Sequence, residues 1–400
     1  MPQPRADLVQ VANCANAAAN LGYAAVLTYL KPLTQASDWV VPFNPQTPEE
    51  QLVRFYNLHH RLRVAELPIP RWFKGQTKWT HPSTIVSKYY FPFYLRSRTQ
   101  IVHTRDWNFV KAAIQNGIPA IYEHHHHEGK TFEPEIVYHP LFQIAVTVAE
   151  PVRESMIAHG MPSDKVIQLH NGFNQSFTVR QPDAAASWRQ QLLGDPSKVA
   201  ARSDPSKVAA RSNRAYLAVY SGGLNAFKGV DLVLKAAKHL PHIQFAFAGG
   251  TPEQVEIYQQ RSIALGLQNV TFLGYILHDR LASLLQAADL LLHPHRSGEE
   301  ASFTSPLKFF DYLASGTPIV ATEILPLRSF QSAGIAAGWC VPDSSTALIE
   351  CITHTLDRYP RQPDGYTHSI QFAQQFSWEN RIQTILSYVD PAFQPNRLAE

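Results

Sequence analysis

The chain has 400 residues, of which 45% are hydrophobic and 17% are charged, and its formal net charge is +3. This length exceeds what a single hydrophobic core usually supports, and the composition excludes a disordered protein, so we expect two globular domains. Three scattered cysteines exclude a disulfide framework and a zinc ribbon. No apolar run reaches the length of about 18 residues that spans a bilayer, and the N-terminus lacks a signal-peptide pattern, so we expect a cytoplasmic protein, soluble or peripheral to a membrane.

The N-terminal segment has the pattern of a helix that leads into a strand. Apolar residues recur at helical spacing from Leu8 to Leu21, Gly22 ends the pattern, and AAVLTYL follows as a strand. A buried strand normally precedes the first helix of such a unit, but MPQPRAD carries two prolines and almost no apolar alternation. We therefore expect that the first strand is missing, that a strand before Asp7 is needed to complete the domain, and that the neighbouring strands keep open edges.

Six basic and eight aromatic residues, with no acidic one among them, lie between Arg71 and Arg98. This composition suits peripheral contact with an anionic lipid surface. It equally suits a core with a solvated rim. Nucleic acid is a third interpretation, which the nearly neutral overall charge disfavours, so we expect no nucleic-acid partner.

Strands and helices alternate through the rest of the first domain. The strands are predicted over RTQIVHTRD, IPAIYEHHHH, FQIAVTVAE and KVIQLHNG, with helices over WNFVKAAIQNG and PVRESMIAHG between them. This alternation predicts a parallel sheet in a domain over 1–172. Small and polar residues then dominate, and DPSKVAARS occurs twice in tandem, at 195–203 and 204–212. One tandem copy cannot bury a core as repeat arrays do, so we predict a low-complexity surface loop over 184–214.

The second domain, expected over 173–375, repeats strand and helix regularly. The strands are predicted over AYLAVYSGGL, HIQFAFAGG, NVTFLG and DLLLHP, with helices over GVDLVLKAAKHL, EQVEIYQQRSIALG and DRLASLLQAA and a further helix from Pro306. This regularity predicts a doubly wound parallel sheet. SWENRIQTILSYV is amphipathic, so we expect a terminal helix within 376–400 that returns to the first domain.

Two segments of the second domain have the pattern of an anion site. In SGGLNAFKG, Gly222 and Gly223 follow a strand, and glycine permits the close backbone approach that a phosphate needs. Lys228 opens the next helix and supplies a positive charge. Loops of this kind are also common for packing reasons alone.

The segment TSPLKFFDYLASGTPIVAT is more specific. Ser305 is a good N-cap, Pro306 suits the first helical position, and the amides of Leu307 and Lys308 would point out of the helix start. Asp311, in the second turn, could accept hydrogen bonds from paired hydroxyls such as those of a ribose, or could simply be solvated.

At these residues the sequence resembles the retaining glycosyltransferases of the two-domain GT-B type, in the large group 1, or family 4, that includes bacterial sucrose and glycogen synthases. The resemblance covers nearly all the chain, and the SPLK segment resembles one subgroup of this family. The matching segments stand in the family's order and are YEHHH, VTVAEPVRESMIAHGMPSDKVIQLHNGFN, YSGGLNAFKGVDLVLKAA, VTFLGY, AADLLLHP and SPLKFFDYLASGTPIVAT. The resemblance implies two facing doubly wound α/β domains, with a nucleoside diphosphate sugar held by the second.

The resemblance also assigns roles to individual residues. Lys228 would contact the donor diphosphate, Asp311 the ribose hydroxyls and His125 the donor sugar, which makes these three the catalytic candidates. The donor-binding residues implied in the same way are Gly222, Gly223, Lys228, Tyr275, Thr304, Ser305, Leu307, Lys308 and Asp311. The expected reaction is transfer of a sugar to a hydroxyl of a glycan or lipid-linked acceptor with retention of configuration, in surface polysaccharide or glycolipid synthesis. Neither a metal ion nor another cofactor is expected.

Two departures from the family pattern bear on the donor. Gly223 stands where most members have an arginine, so that one phosphate charge is lacking, and Lys308, Arg296 or Arg105 could supply it. Phe303 replaces the first glutamate of the usual acidic pair, which removes any inference about the identity of the sugar.

Two other sets of interpretations remain open on sequence alone. The run His124 to His127 could touch the donor, bind a metal ion or lie in a solvated loop, although adjacent strand residues point to opposite faces and at most two could ligate one ion. The whole chain could also be a non-catalytic nucleotide-sugar-binding protein, or a sugar-nucleotide epimerase, which would need an acidic acid/base pair.

Overall fold

The computed structural model describes the whole chain except residues 1–5, 33–42, 59–60, 70–80, 127–128, 130, 195–215, 299–300, 302–306 and 399–400. It divides into two compact units, which we describe separately. Unit 1 comprises Met1–Gly172 and Trp378–Glu400, and unit 2 comprises Phe173–Ser377.

Unit 1 consists of short parallel strands with helices between them. Its strands are β1 Val26–Pro32, β2 Arg63–Ile69, β3 Val102–Thr104, β4 Ala120–His124, β5 Phe142–Thr147 and β6 Val166–Gln168. Its helices are α1 Ala6–Asn20, α2 Glu50–Tyr56, α3 Pro82–Ile85, the π-helical segment Val86–Leu95, α4 Trp107–Gln115, α5 Pro134–Val137, α6 Glu150–Ala158 and the C-terminal helix Trp378–Ser387.

The strands of unit 1 form two separate sheets. Strands β1 and β2 pair in parallel, and β3, β4, β5 and β6 form a second parallel sheet in that order. Among the described residues, no strand hydrogen-bonds to the free edge of β1 or of β3. Leu30 of β1 is 40% exposed, whereas Leu67, its register partner on β2, is 3% exposed. The described residues therefore cover Leu30 of β1 less than its register partner on β2.

Helix α1 contacts both parts of unit 1. Its residues Ala12 and Ala19 pack against Tyr56 and Leu62, beside the two-stranded sheet. From the same helix, the Gln10 side-chain amide donates to Glu123 Oε1 at the end of β4, at 2.7 Å. Helix α1 therefore contacts the elements of both sheets of unit 1.

The described part of the basic and aromatic segment lies largely in the core. Tyr90 and Phe91 are buried, and the Tyr90 hydroxyl donates to the Pro68 carbonyl at 2.6 Å. Phe93 is exposed. These contacts favour the interpretation as a core with a solvated rim for residues 81–98, and residues 71–80 lie outside the described part of the chain.

Unit 2 is a six-stranded parallel sheet with helices between its strands. Its strands are β7 Tyr216–Ser221, β8 Ile243–Ala248, β9 Val270–Gly274, β10 Leu290–His293, β11 Ile319–Thr322 and β12 Ala337–Cys340. Its helices are α7 Pro182–Leu193, α8 Val230–His239, α9 Pro252–Ala264, α10 His278–Ala287, α11 Leu307–Ser315, α12 Ser345–Arg358 and α13 Thr367–Ala373.

The strand order in unit 2 is β12-β11-β10-β7-β8-β9, so the chain reverses its direction of winding between β7 and β10. This is the doubly wound order that the sequence predicts. In such sheets ligands bind at the carboxyl ends of the strands, next to the point of reversal. The ends of β7 and β10 are therefore where a site is expected.

The prediction of a loop over 184–214 was wrong at its start, because residues 182–193 form helix α7. Ala185 and Trp188 are buried, and the Trp188 indole N–H donates to Ser283 Oγ at 3.2 Å. Arg189 pairs with Asp289 at 2.8 Å. Few apolar residues suffice here because helix α10 covers them. The duplicated segment lies outside the described residues.

Within the described ranges of the chain, no helix is long and apolar enough to cross a membrane.

Candidate functional site

Strands β7 and β10 are joined at their carboxyl ends by a buried tyrosine from helix α11. The backbone N–H of Ser221 donates to the Tyr312 hydroxyl oxygen at 2.7 Å, and the Tyr312 hydroxyl donates to the Leu292 carbonyl at 3.3 Å. Lys308 lies one helical turn before Tyr312, on the same face of the helix. Helix α11 therefore presents Lys308 at the point where the winding of the sheet reverses.

Glycines allow the backbone segments to come close at this end of the sheet. A Cβ on Gly249 would lie 2.4 Å from the Gly222 carbonyl oxygen, and a Cβ on Gly229 would lie 1.8 Å from the Pro294 carbonyl oxygen. Both positions also have positive φ angles, 116° and 71°. Larger residues would push the loops after β7, β8 and β10 apart.

The Lys308 ammonium group is buried at this end of the sheet. Lys308 is 9% exposed, and its Nζ has no hydrogen-bond partner among the described residues. The Nζ lies 3.8 Å from the centroid of the Tyr220 ring and 3.5 Å from where a Cβ on Gly222 would be. Burial, and then the charge of Lys228, hold the pKa of Lys308 well below its ordinary value. A buried amino group without a hydrogen-bond partner among the described residues, next to an open glycine loop, is suited to receive an anion.

Two buried histidines follow β10 next to Lys308. His293 and His295 are 0% and 2% exposed, and their ring centroids lie 3.9 Å apart. Neither ring nitrogen of either histidine has a hydrogen-bond partner among the described residues. Burial, followed by the charges of Lys308 and Lys228, lowers the pKa of His293, and burial followed by His293 and the same two lysines lowers that of His295. Both rings are therefore neutral at neutral pH.

Lys228 lies at the edge of the same region. It ends a 3₁₀ turn, Ala226–Lys228, and its Nζ lies 4.6 Å from the centroid of the Phe227 ring. The adjoining helix α8 begins at Val230, so the prediction that Lys228 opens this helix was wrong. Gly229 adopts a left-handed conformation that separates the turn from the helix.

Asp311 lies on helix α11, one turn after Lys308. Its side chain is half-buried, and burial raises the pKa of its carboxyl group to about 8. It is therefore not the fully solvated helix residue that the sequence left as an alternative. A desolvated carboxyl group of this kind gains from hydroxyl donors supplied by a ligand.

Of the two candidates in unit 2 for the lacking phosphate charge, Lys308 lies next to Gly222. Arg296 pairs with Asp231 and, at 3.2 Å, with Asp343, so two carboxylates already neutralise it. Arg105 lies in unit 1, where it donates to Gln10 Oε1 at 3.2 Å. Within the described part of unit 2, Lys308 is the candidate that the fold brings to the loop after β7.

Other predicted donor residues are exposed or half-buried, or lie outside the described part of the chain. Tyr275 follows β9 and is 38% exposed, and Leu307 begins helix α11 half-buried. Gly223 is exposed, and its carbonyl accepts from the Tyr220 hydroxyl at 2.6 Å. Thr304, Ser305 and the Phe303 position lie outside the described residues.

In unit 1, His125 belongs to a buried cluster around Glu123. The carboxylate of Glu123 is bonded to His125 Nε2 at 2.7 Å, His103 Nε2 at 2.8 Å and Gln10 Nε2 at 2.7 Å. Arg381 of the C-terminal helix donates to it through both terminal nitrogens, at 2.7 and 3.3 Å. The cluster therefore fixes the His125 ring through Nε2.

The charges in this cluster are paired. Burial by itself would raise the pKa of Glu123, but the charge of Arg381 and hydrogen bonds from His103 and His125 hold it well below its ordinary value. Burial lowers the pKa of His125, against the opposing effect of Glu123. The cluster is thus an ionised Glu123–Arg381 pair that positions a neutral histidine.

The histidine run does not form a metal site within the described residues. His124 Nδ1 is hydrogen-bonded to the Tyr122 hydroxyl at 2.9 Å, and His125 is held by Glu123. No group of three or more histidine, cysteine, aspartate or glutamate side chains that could hold a metal ion is found among the residues that the structure describes. His127 is not among them.

Comparison with known proteins relates unit 2 to one family. Residues 215–358, which contain β7 through α12, match the family model of glycosyl transferases group 1. Unit 2 is therefore similar to the group 1 glycosyl transferases. The family match covers Gly222, Lys228, Lys308 and Asp311, the residues that meet at the ends of β7 and β10 or lie on helix α11.

Curated relatives match part of the length of this chain. The D-rhamnosyltransferase WbpZ of Pseudomonas aeruginosa is 28% identical over 161 residues, which are 40% of this chain and 41% of that protein. The D-inositol 3-phosphate glycosyltransferase of Mycolicibacterium smegmatis is 27% identical over 230 residues, 56% of this chain and 50% of the relative. The chain thus spans about half the length of the curated relatives it matches, or less.

Solved structures resemble this chain over nearly its whole length. HepE of Anabaena, solved with UDP and glucose, has a TM-score of 0.66 at 15% identity and covers 97% of both chains. The sucrose-phosphate synthase of Thermosynechococcus elongatus has a TM-score of 0.60 at 17% identity, covering 95% of this chain and 92% of that one. At these identities the likeness shows the fold, which is the two-domain GT-B arrangement of parallel-sheet α/β units.

Sequence reasoning missed four residues that the structure places in the two clusters. They are Glu123, Arg381, His293 and His295. His293 and His295 had a usable signal, because two histidines end a strand predicted next to the ligand-binding edge. Glu123 and Arg381 are 258 positions apart, and no local pattern connects them.

Proposed function

We propose that this protein transfers a sugar from a nucleoside diphosphate sugar to a hydroxyl group of a glycan or lipid-linked acceptor. The observation that carries the proposal is the buried Lys308 amino group beside Gly222, without a hydrogen-bond partner among the described residues, at the point where the sheet of unit 2 reverses. A diphosphate supplies the counter-charge that this position lacks.

The other parts of the donor fit the same region of unit 2. Lys228 provides a second positive charge near the diphosphate, and Asp311 provides an acceptor for the ribose hydroxyls. The two lysines would stabilise the departing diphosphate electrostatically, without a metal ion. Gly222, Gly223, Tyr275, Thr304, Ser305 and Leu307 remain proposed donor contacts.

The comparisons support a sugar nucleotide over other phosphate ligands. HepE of Anabaena was solved with UDP and with UDP-glucose, and the curated relatives are named as a rhamnosyltransferase and an inositol-phosphate glycosyltransferase. By resemblance, the reaction retains the anomeric configuration, and surface polysaccharide or glycolipid synthesis is its proposed setting. The proposed role of His125 toward the donor sugar also rests on the resemblance.

The proposal is tested by a donor screen. The purified chain is incubated with UDP, GDP and ADP and with their glucose or mannose conjugates, while thermal stabilisation and release of free nucleoside diphosphate are measured. We expect one base to raise the melting temperature, because a ligand that binds only the folded state stabilises it. Stabilisation together with release indicates a transferase, stabilisation without release indicates a binding protein, and no stabilisation by any nucleotide contradicts a donor site.

Restoring the family's arginine at Gly223 is expected to tighten donor binding by about three- to tenfold, because one charge-assisted contact is added at some cost in side-chain ordering. The substitution fits the backbone, since a Cβ on Gly223 meets only Asn225 Nδ2, at 3.7 Å. Calorimetric titration of Gly223→Arg with the nucleoside diphosphate found in the screen measures the gain. Gly223→Gln, similar in reach but uncharged, serves as the control, and an equal effect of both changes would argue against a phosphate contact at this loop.

A further inference from the structure

Lys308, His293 and His295 form a buried basic cluster without a facing carboxylate among the described residues. The groups around the Lys308 Nζ are the Tyr220 ring of β7, Lys228 of the 3₁₀ turn, the two histidines after β10, and Asp311 and Tyr312 of its own helix. Of these, only Asp311 is acidic, and burial raises the pKa of its carboxyl group to about 8.

A protonated Lys308 with no counter-ion among the described residues is unfavourable in such a place. Desolvation alone disfavours the charged form of a buried lysine, and a nearby cation adds repulsion. Burial and the charge of Lys228 both lower the pKa of Lys308, so the neutral form of this lysine is favoured in the empty site. The histidines are neutral for the same reason.

A bound diphosphate would favour the charged form of Lys308 over the neutral form. Its negative charges at the glycine loop replace the missing counter-ion, and Lys308 is intrinsically the most basic group of the cluster. The histidines stay neutral in that state, because the charges of Lys308 and Lys228 lower their pKa values. The lone pairs of their rings remain available to accept hydrogen bonds.

We propose that the donor site takes up one proton when the diphosphate binds, and that Lys308 receives it. The inference rests on the proposed function and adds that donor affinity is coupled to pH. Affinity should fall as the pH rises, by up to about one order of magnitude per pH unit per proton taken up.

The experiment is calorimetric titration of the chain with UDP, GDP or ADP, whichever binds, near pH 8 in buffers of different ionisation enthalpy. The dependence of the binding enthalpy on the buffer gives the number of protons taken up. Near pH 8 the terminal phosphate, whose second pKa is about 6, contributes little. We expect close to one proton for the unaltered chain.

Two variants assign the proton. Lys308→Met removes the titrating group and replaces a buried polar side chain by an apolar one of similar length, so it should fold, bind several-fold more weakly near pH 7 and take up about one proton fewer than the unaltered chain. Lys308→Arg keeps a permanent charge, because arginine does not deprotonate, so it should also take up about one proton fewer, and its affinity should depend less on pH. His239→Gln, an exposed histidine at the end of helix α8, is the control and should behave as the unaltered chain.

Asp311 is present in both lysine variants, so any proton that it exchanges with the ligand cancels in the comparison. Equal proton exchange in the unaltered chain and in Lys308→Arg overturns the inference while leaving the donor site in place. Uptake that persists unchanged in Lys308→Met overturns the assignment to Lys308. Absence of binding by all three nucleotides contradicts the proposed function itself.

Discussion

Replacing Arg381 with methionine is expected to lower the free energy of unfolding by about 3 to 5 kcal/mol near pH 7.5, because the change leaves a buried carboxylate without its charge partner. Both side chains are almost completely buried, and Arg381 donates twice to Glu123. The same change removes the donation from Arg381 Nε to the His170 carbonyl at 2.9 Å. The loss is measured by urea unfolding followed by circular dichroism.

An exposed ion pair of the same unit provides the control. Lys111 and Glu133 are paired at 2.8 Å, with side chains 30% and 37% exposed. Lys111→Met makes a matching change from cation to thioether, and it should cost less than about 1 kcal/mol because solvent screens such pairs. Equal losses in the two variants would show that the buried pair has no special role in stability.

The cost of Arg381→Met should also depend on pH in a defined direction. In the unaltered chain the pKa of Glu123 lies below its ordinary value of 4.5, so its stabilisation is present above pH 4.5 and is lost as the pH falls through the lower folded value. In the variant, burial without Arg381 raises the pKa of Glu123, so the carboxyl group becomes neutral as the pH falls toward 5. The difference in unfolding free energy between the two proteins should therefore shrink between pH 7.5 and 5, and a constant difference would contradict the ionised pair.

The strands of unit 2 could be predicted because their sequences carry the signal by themselves. Strands β7, β8 and β10 are runs of apolar residues that end in glycine, proline or histidine, and a strand buried on both faces needs such a run. Strand and helix alternate without interruption, which leaves few topologies other than a doubly wound sheet.

Helix α7 could not be predicted in the same way, because its local composition resembles a solvated loop. Only Ala185 and Trp188 of its 12 residues are buried, and what covers them is helix α10, about 100 positions further along the chain. The helix therefore depends on tertiary packing more than on its own pattern.

The sequence predicted which charged residues belong to the candidate site, but it did not predict that they are buried. The sequence placed Lys308 at a helix start, where a solvated cation is the ordinary expectation. Helix α11 is instead buried around most of its circumference, which a short apolar run cannot reveal. The burial of Lys308, His293 and His295 arises from three elements that meet at the sheet edge, so it follows only from the fold.

Replacing Lys228 with alanine is expected to weaken binding of the nucleoside diphosphate by roughly 10- to 100-fold, since a charge-assisted contact contributes about 1.5 to 3 kcal/mol. Lys228 is the outer of the two lysines and is half-buried, whereas Lys308 is buried and has a pKa well below its ordinary value. It is therefore the charge that attracts the ligand before the buried lysine takes up a proton. Calorimetric titration gives the two dissociation constants.

The parent nucleoside separates a phosphate contact from a general disturbance of the site. A nucleoside carries the base and ribose but no phosphate, so Lys228→Ala should leave its affinity unchanged while weakening that of the diphosphate. Lys238→Ala, on the exposed face of helix α8, removes a charge from the same unit and should affect neither ligand. Equal weakening of nucleoside and diphosphate by Lys228→Ala would mean that the loop is distorted, and unchanged diphosphate affinity would refute the placement of the phosphates at Lys228.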